Sequence, residues 1–505
     1  MIPTTSPRRV FLLVLAAALL VQAAWILALP AFRGIDEFDH VYKAEAVAHG
    51  QFLDHGAAEN GRGGLVEVPR DVVDAASALC DSYKYTGPDN CNPVEQLSGD
   101  TVTVASGAST YNPVYYAAVG LLAQPFSGAA TDFAVRAFTA VLAALLLAWA
   151  ALVTSGWARN GWPLLALLVS ATPVLIYSTT IASPNGVGYA AGCLLWAAAL
   201  SLVEQPERPR LAALTAAAVT MMATHSTGVM WLALAVAVIA LLQPLRQWRA
   251  LFHRARRAVV ATGAVIGLVG IGCVSWILLA KTNGGALTSS GDAPNPLTLG
   301  DLALGQSLWA LHTIAVFPLR TDPAPAIVYV LWLVPFVVLL VAGIRCASSR
   351  LRLAALVLLV FWVAVPMTLT LLSYASLGLA WQGRYALPLA VGFPALAGLA
   401  LNRADRVPRR RYLALLVAAC ALAQTISVVR VAWVEAGTGL SATFADVGLP
   451  GAVGLIGTMA LVGSLLPLLL GRQVETLVDQ PRHSPDSSAD PGVAADAEPA
   501  VSPAH

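Results

Sequence analysis

Apolar runs of about twenty residues recur along most of the chain, separated by short polar or basic breaks. The first, Val10 to Leu29, follows Arg8 and Arg9; as a helix it is about 30 Å long, the thickness of a bilayer's hydrocarbon core. It exceeds the apolar region of a secretory signal and reads as an uncleaved first span. Further spans are expected at 132–154, 162–180, 184–203, 210–224, 226–243, 258–280, 326–344, 352–374, 383–401, 412–432 and 449–471. The pattern therefore predicts an all-α polytopic membrane protein of twelve transmembrane helices. The stretch 210–243 is divided at Thr224-His225-Ser226-Thr227-Gly228, because one continuous span would invert the Arg208/Arg210 loop.

Charge gives these spans a direction. The basic loops Arg246 to Arg257, Arg403 to Arg411 and Arg345 to Arg352 should lie in the cytoplasm. With those fixed, both termini fall inside and residues 30–131 fall outside. The apolar stretch 111–126 then cannot cross the membrane without breaking the alternation. With Pro113 near its start and Pro125 near its end, it is expected to be a juxtamembrane or re-entrant helix. The first 471 residues thus form the membrane domain, with a second outer loop at 281–325. Residues 472–505, rich in Pro, Ser, Asp and Ala, are expected to be a disordered cytoplasmic tail.

Composition agrees with this reading and excludes others. Hydrophobic residues make up 57% of the chain and charged residues 11%, with a mean hydropathy of +0.71, too apolar for a water-soluble fold of 505 residues. A net charge of +2 gives no reason to expect a nucleic-acid partner. No P-loop, dinucleotide-binding glycine motif, His-Glu-x-x-His or nucleophile elbow is present.

The polar exception is 30–110, with 13 acidic and 5 basic residues. It carries Gly-rich runs such as Asn60-Gly61-Arg62-Gly63-Gly64, and it reads as a folded extracytoplasmic loop. Cys80 and Cys91 flank the turn-forming Gly87-Pro88-Asp89-Asn90, and an oxidising compartment favours a disulfide between them over paired metal ligands. Cys193, Cys273, Cys346 and Cys420 lie in or beside apolar spans and are expected to be packing residues.

The densest ionisable cluster opens this loop: Asp36, Glu37, Asp39, His40, Lys43 and Glu45. A helix over 36–50 would set Asp36, Asp39, His40 and Lys43 on one face. Val41, Ala44 and Ala48 would be left to lie on the membrane surface. Charges after a span are often merely solvated. Three carboxylates held at a bilayer surface can also supply a general base, or bind a divalent cation through oxygen ligands.

The segment Asp36-Glu37-Phe38-Asp39-His40-Val41-Tyr42-Lys43-Ala44, followed by Gly50-Gln51-Phe52, resembles the Asp-Glu motif that opens the first external loop of GT-C glycosyltransferases. Those are polytopic enzymes that use polyprenyl-phosphate sugars. Tyr111-Asn112-Pro113-Val114-Tyr115-Tyr116 resembles their Pro-Pro-Leu-Tyr-Tyr juxtamembrane helix, though Pro113-Val114 departs from the double proline. Together with Ser183-Pro184-Asn185-Gly186 and Gln382-Gly383-Arg384-Tyr385, the pattern is most similar to an uncharacterised family of bacterial multispanning proteins. All four motifs fall on the outer face of the topology derived above.

The resemblance implies a GT-C-like fold in the bacterial plasma membrane, moving a sugar from a polyprenyl-phosphate donor to an envelope glycan, lipid or protein outside the cytoplasm. It assigns the base to Asp36 or Glu37, with Asp36 preferred because it begins the helix, and gives Asp39, His40 and Lys43 supporting places. Arg384, an isolated arginine flanked by Trp381 and Tyr385, is the first choice for the donor phosphate, with Gln382 and Tyr385 beside it. Asn112, Tyr115, Asn185, His225 and Arg320 are secondary candidates, as are Lys281 and His312. Arg136 can instead pair with Asp132 one turn earlier. Mg²⁺ or Mn²⁺ is left open as a cofactor, with Asp36, Glu37 and Asp39 as its ligands if one binds. Two alternatives belong to other classes: a lipid or solute transporter or flippase, and a noncatalytic polysaccharide-assembly protein. Transporters place charge or broken repeats near the bilayer midplane, and the span interiors here hold almost none.

Overall fold

The structure is a computed structural model that describes residues 7–83, 86–97, 99–280, 297–317, 322–377, 381–435 and 448–470. Lys281, Arg320, part of the 281–325 loop and the 472–505 tail lie outside the described residues. The chain is a multi-pass helical membrane protein.

Among the described residues, nine helices are long and apolar enough to cross a membrane. They are α1 (Pro7–Ala28), α6 (Ala129–Trp157), α9 (Pro184–Glu204), α13 (Arg256–Leu279), α15 (Ala326–Cys346), α16 (Ser349–Leu377), the segment Gly383–Arg403 ending in α18 (Gly392–Arg403), α19 (Arg410–Glu435) and α20 (Gly448–Leu465). The other three expected spans are shorter pieces, so the count of twelve full crossings is not reached. Residues 162–180 form α7 (Trp162–Ser170) and α8 (Pro173–Ser178). They are separated at Thr172, whose hydroxyl caps α8, with Pro173 at the position where a helix tolerates a missing N–H. The division at 224–228 is observed between α10 (Leu211–Thr224) and α11 (Gly228–Ala240). α11 is followed after a 109° bend by α12 (Leu245–Arg254).

The bundle is built around α9, which is buried along its whole apolar window, whereas α13 buries almost nothing. Its core gathers Trp25, Tyr177, Trp196 and Phe317, with Trp25 and Phe317 ring centroids 4.8 Å apart. A second core fills the first large loop. There α2 (Glu37–Ala48) lies against α5 (Pro113–Ala123) and a sheet of strands β1 (Gly64–Pro69), β2 (Glu95–Gln96) and β3 (Thr101–Ser106), in the order β1-β3-β2. The strands are antiparallel, with Val66 opposite Val104. α3 (Arg70–Cys80) closes this unit through the Cys80–Cys91 disulfide. The pairing of these two cysteines is as the compartment argument expects.

The helix expected at 36–50 is present as α2, but its placement corrects the reading of a surface helix. Every residue from Glu37 to Val47 is buried, with Val41 and Ala44 fully so. The physical reason is that the loop makes its own core: Phe38, Val41 and Tyr42 pack inward on the sheet and α5 rather than on lipid. α5 starts where expected. Asn112 accepts from the Val114 N–H as its cap, and Pro113 is its first residue.

Candidate active site at the loop end of the bundle

The chain turns sharply as it leaves α1. Phe32 and Asp36 both adopt left-handed backbone conformations, with φ of 59° and 58°. Such a conformation is costly for most side chains, and aspartate tolerates it better than most. Asp36 stands at the N-cap of α2 yet makes no capping hydrogen bond. Its Oδ1 instead lies 3.8 Å from the Arg62 guanidinium.

Glu37, the next residue, points the other way. It is fully buried and its two oxygens take Arg136 at 2.8 Å and 2.5 Å. They also accept the N–H groups of Ala182, at 2.7 Å, and Gly34. Arg136 further contacts Asp132 at 3.0 Å, as the i, i+4 spacing allows, and donates to the Leu29 and Pro30 carbonyls. Asp132 in turn accepts the Phe32 N–H. This network ties the end of α1, the start of α2, α6 and the turn before α9 into one joint. Both oxygens of Glu37 are thus fully engaged within this joint.

The groups that do gather come from six parts of the chain. Arg62 Nη1 lies 3.8 Å from Asp36 Oδ1. The backbone around Arg62 is clasped by Asn90, whose side chain accepts from Arg62 N–H and donates to the Arg62 carbonyl. Gly63, at φ 82°, runs so close to the Ser106 carbonyl that any Cβ there would overlap it. Asp39 accepts the Gly107 N–H and is pushed up to about 7 by burial, against the pull of the Arg62 charge. His40 is held between the Tyr116 hydroxyl at 2.8 Å and the Ser183 hydroxyl at 3.3 Å. Burial lowers it to about 4; the charges of Arg384, His225 and Arg62 add to this, against the opposing effect of Asp36. It is therefore neutral near pH 7. His225 is likewise lowered to about 4 by burial and by Arg384. It accepts the Thr227 N–H on Nδ1, leaving its proton on Nε2.

Arg384 enters from the far side of the chain, on the short helical turn Gly383–Ala386. A Cβ on Gly383 would overlap the Trp309 carbonyl oxygen, so only glycine lets this turn sit against α14 (Leu299–His312). The guanidinium lies 5.7 Å from the Tyr385 ring centroid, and Gln382 donates to the Tyr385 hydroxyl at 2.6 Å. Tyr385 also meets His225 and Trp381, at 5.7 Å and 5.5 Å between ring centroids. The charges of Asp36 and Arg384 both act on His40, in opposite senses. Asp36 Oδ1 and Arg384 Nε are each buried without a hydrogen-bond partner. Unsatisfied buried polar atoms are rare and costly, and two of opposite charge in one cluster are suited to a polar ligand.

The remaining candidates divide. Asn185 and His225 line a small cavity with Tyr385 and Tyr189, and Asn185 Oδ1 has no partner. Asn112 is a helix cap that also contacts the Cys273 thiol, and Tyr115 bonds Thr139 at 2.7 Å; neither joins the cluster. Lys43 turns to the Phe52 carbonyl, where burial lowers it to about 8. His312 lies in the last turn of α14. Among the described residues, no three His, Cys, Asp or Glu side chains are placed to hold a metal ion. Asp36, Glu37 and Asp39 do not converge, because Glu37 is committed to Arg136 and Asp39 to Gly107. Arg62, Tyr116 and Ser183 are site residues that sequence reading missed. An arginine embedded in a glycine-rich run is the one signal that pointed to Arg62.

Fold and site define a multi-pass membrane protein with a buried, charged and aromatic site at one end of its helix bundle. The chain belongs to the DUF2142 family of predicted membrane proteins, whose family model matches residues 19–393. No curated protein matches the sequence. Among solved structures, the chain is similar to ArnT from Cupriavidus metallidurans in the apo state, at 15% identity and a TM-score of 0.40, over 90% of this chain and 75% of that one. It is also similar to the same protein bound to undecaprenyl phosphate, at 16% identity and a TM-score of 0.39, over 92% of this chain and 77% of that one.

Proposed function

We propose that this protein is a membrane glycosyltransferase that moves a sugar from a polyprenyl-phosphate donor to an acceptor outside the cytoplasm. The observation that supports this reading is that Asp36 and Arg384 both lie within electrostatic reach of His40. Asp36 Oδ1 and Arg384 Nε are both buried without a hydrogen bond, and the charge nearest Asp36 is Arg62, at 3.8 Å.

The chemistry requires those two parts. Asp36 takes the proton of the acceptor hydroxyl as its oxygen attacks the anomeric carbon. The bond from that carbon to the phosphate oxygen breaks, and the electron pair leaves with the polyprenyl phosphate. Arg384 neutralises the charge that develops there through its planar fork. Neutral His40 and His225 add no competing charge, and His225 keeps its Nε2 for the sugar or phosphate. Glu37 and Arg136 hold the base in place without touching the reaction.

The test is sugar transfer from a synthetic polyprenyl-phosphate sugar by purified protein carrying Asp36→Asn or Arg384→Gln. General-base removal should lower the rate by about 10²–10⁴-fold. Full activity in a folded Asp36→Asn variant of a verified enzyme would refute the mechanism.

A further inference from the structure

At the opposite end of the bundle, the 109° bend after α11 lays α12 across the direction of its neighbours. With α11 directed along the bilayer normal, the 109° bend sets α12 within about 20° of the membrane plane, at its surface. Its sequence is built for that position. Leu245, Trp248 and Phe252 recur at helical spacing, and among the described residues Leu245 is 63% and Phe252 39% exposed. Trp248 is anchored back onto α11 by its indole N–H, 3.1 Å from the Ala240 carbonyl.

The other flank is basic. Arg246, Arg249 and Arg254 on α12, and Arg256 and Arg257 at the start of α13, are all exposed. No acidic residue occurs anywhere between Glu207 and Asp292. Among the described residues, none of the five arginines forms a salt bridge. Glu204, the acid nearest in sequence beyond Glu207, is already taken by Arg403 at 2.7 Å.

We infer that α12 and the first turn of α13 form a binding site for anionic glycerophospholipid. The apolar edge lies among the acyl chains and the arginine forks hold headgroup phosphates. Each arginine near a negatively charged leaflet contributes attraction that salt screens, and several fixed on one rigid elbow select a lipid charge rather than a lipid chain. The positive-inside rule puts this face in the cytoplasmic leaflet, so the site is separate from the proposed chemistry and does not depend on it.

The experiment is thermal unfolding of the full-length protein in detergent, with added phosphatidylglycerol, phosphatidylcholine of the same acyl chains, or inorganic phosphate. Phosphatidylglycerol should raise the midpoint by several degrees, as a ligand of the folded state does; the other two should not. The rise should shrink in Arg246→Gln/Arg249→Gln, persist in large part in Arg246→Lys/Arg249→Lys, and vanish near 1 M salt. An equal response to phosphatidylcholine or to inorganic phosphate would overturn the inference. So would an undiminished phosphatidylglycerol shift in the glutamine variant. If that variant does not fold, a wild-type shift that survives 1 M salt overturns it equally.

Discussion

Glu37 Oε2 and Arg136 Nη2 meet at 2.5 Å with neither side chain exposed to solvent. Adjacent Asp36 keeps a buried oxygen without a hydrogen bond, 3.8 Å from Arg62 Nη1. Two neighbouring acids in one motif therefore have different work. Removing one partner of a buried ion pair leaves an uncompensated charge and costs about 3–5 kcal/mol. Glu37→Gln and Arg136→Met should each lower the unfolding midpoint markedly and reduce the yield of folded protein. Asp36→Asn should leave the midpoint close to wild type, and it should gain a little if left-handed strain is relieved by asparagine. Thermal scans of the three variants in one detergent check this. A Glu37→Gln protein as stable as wild type would return Glu37 to the list of candidate bases.

Arg384 should set lipid-phosphate affinity. It presents a guanidinium beside the Tyr385 ring, with Nε unpartnered. Arg384→Gln should weaken binding of undecaprenyl phosphate by about 10–100-fold, the range for one charge-assisted hydrogen-bonded contact. Arg384→Lys should recover only part of this, because a lysine cannot make the two-pronged contact. Titration of the lipid into protein reconstituted in nanodiscs gives the numbers. Undiminished binding by the glutamine variant would remove Arg384 from the donor site.

Much of this was legible in the sequence, and the boundary is physical. Long apolar runs announce spans because a bilayer sets their length, so α1, α6, α9, α13, α15, α16, α19 and α20 lie where expected. The break inside 162–180 was not legible, because α7 and α8 together are apolar enough to pass as one span while the Thr172 cap divides them; the break between α10 and α11 was. The three-stranded sheet was not read either; β1 is short and lies in a loop dominated by charge and glycine. The motifs singled out Asp36, His40 and Arg384 from type and position, and His225 stood among the secondary candidates. That Asp36 and Glu37 face opposite ways depends on a left-handed turn at Asp36, which no spacing rule reveals. Arg62 reaches the site only because the loop folds back across the helix, a contact far apart in the chain.

The Cys80–Cys91 bond should matter to the site as well as to the loop. Asn90, next to Cys91, accepts from Arg62 N–H at 2.8 Å and donates to the carbonyls of Arg62 and Ala105. Closing a loop of this size by a disulfide contributes about 2–3 kcal/mol by chain entropy. Cys80→Ser/Cys91→Ser, or reduction of wild-type protein, should speed protease cleavage within 51–64 and loosen Arg62 from Asp36. Limited proteolysis with and without reductant is the measurement. Identical cleavage rates would mean that the sheet alone holds the Arg62 loop.

Asp39 gives a pH dependence whose sign can be worked out. Its folded-state pKa is pushed up to about 7 by burial, above its ordinary value of 3.8, with the Arg62 charge opposing. The folded protein thus holds a proton that the unfolded chain gives up, so Asp39 costs stability progressively as pH rises from about 4 to about 7. His40 works the other way. Its folded value of about 4 lies below the ordinary 6.5, so stability associated with it is lost as pH falls through that interval. The two contributions oppose each other between about pH 4 and 6.5 and hide one another in the wild type. Asp39→Asn keeps an acceptor for the Gly107 N–H and removes only the titration. The gain in stability of this variant over wild type should therefore grow from pH 4 to 7 and then level off. Arg62→Gln should move the rise in the opposite sense from added positive charge: without the guanidinium the Asp39 proton is held more tightly, and the loss of stability extends above pH 7. Unfolding midpoints of the three proteins across that range decide it. A flat difference between wild type and Asp39→Asn would mean that Asp39 is ionised throughout, and that the Arg62 charge outweighs burial.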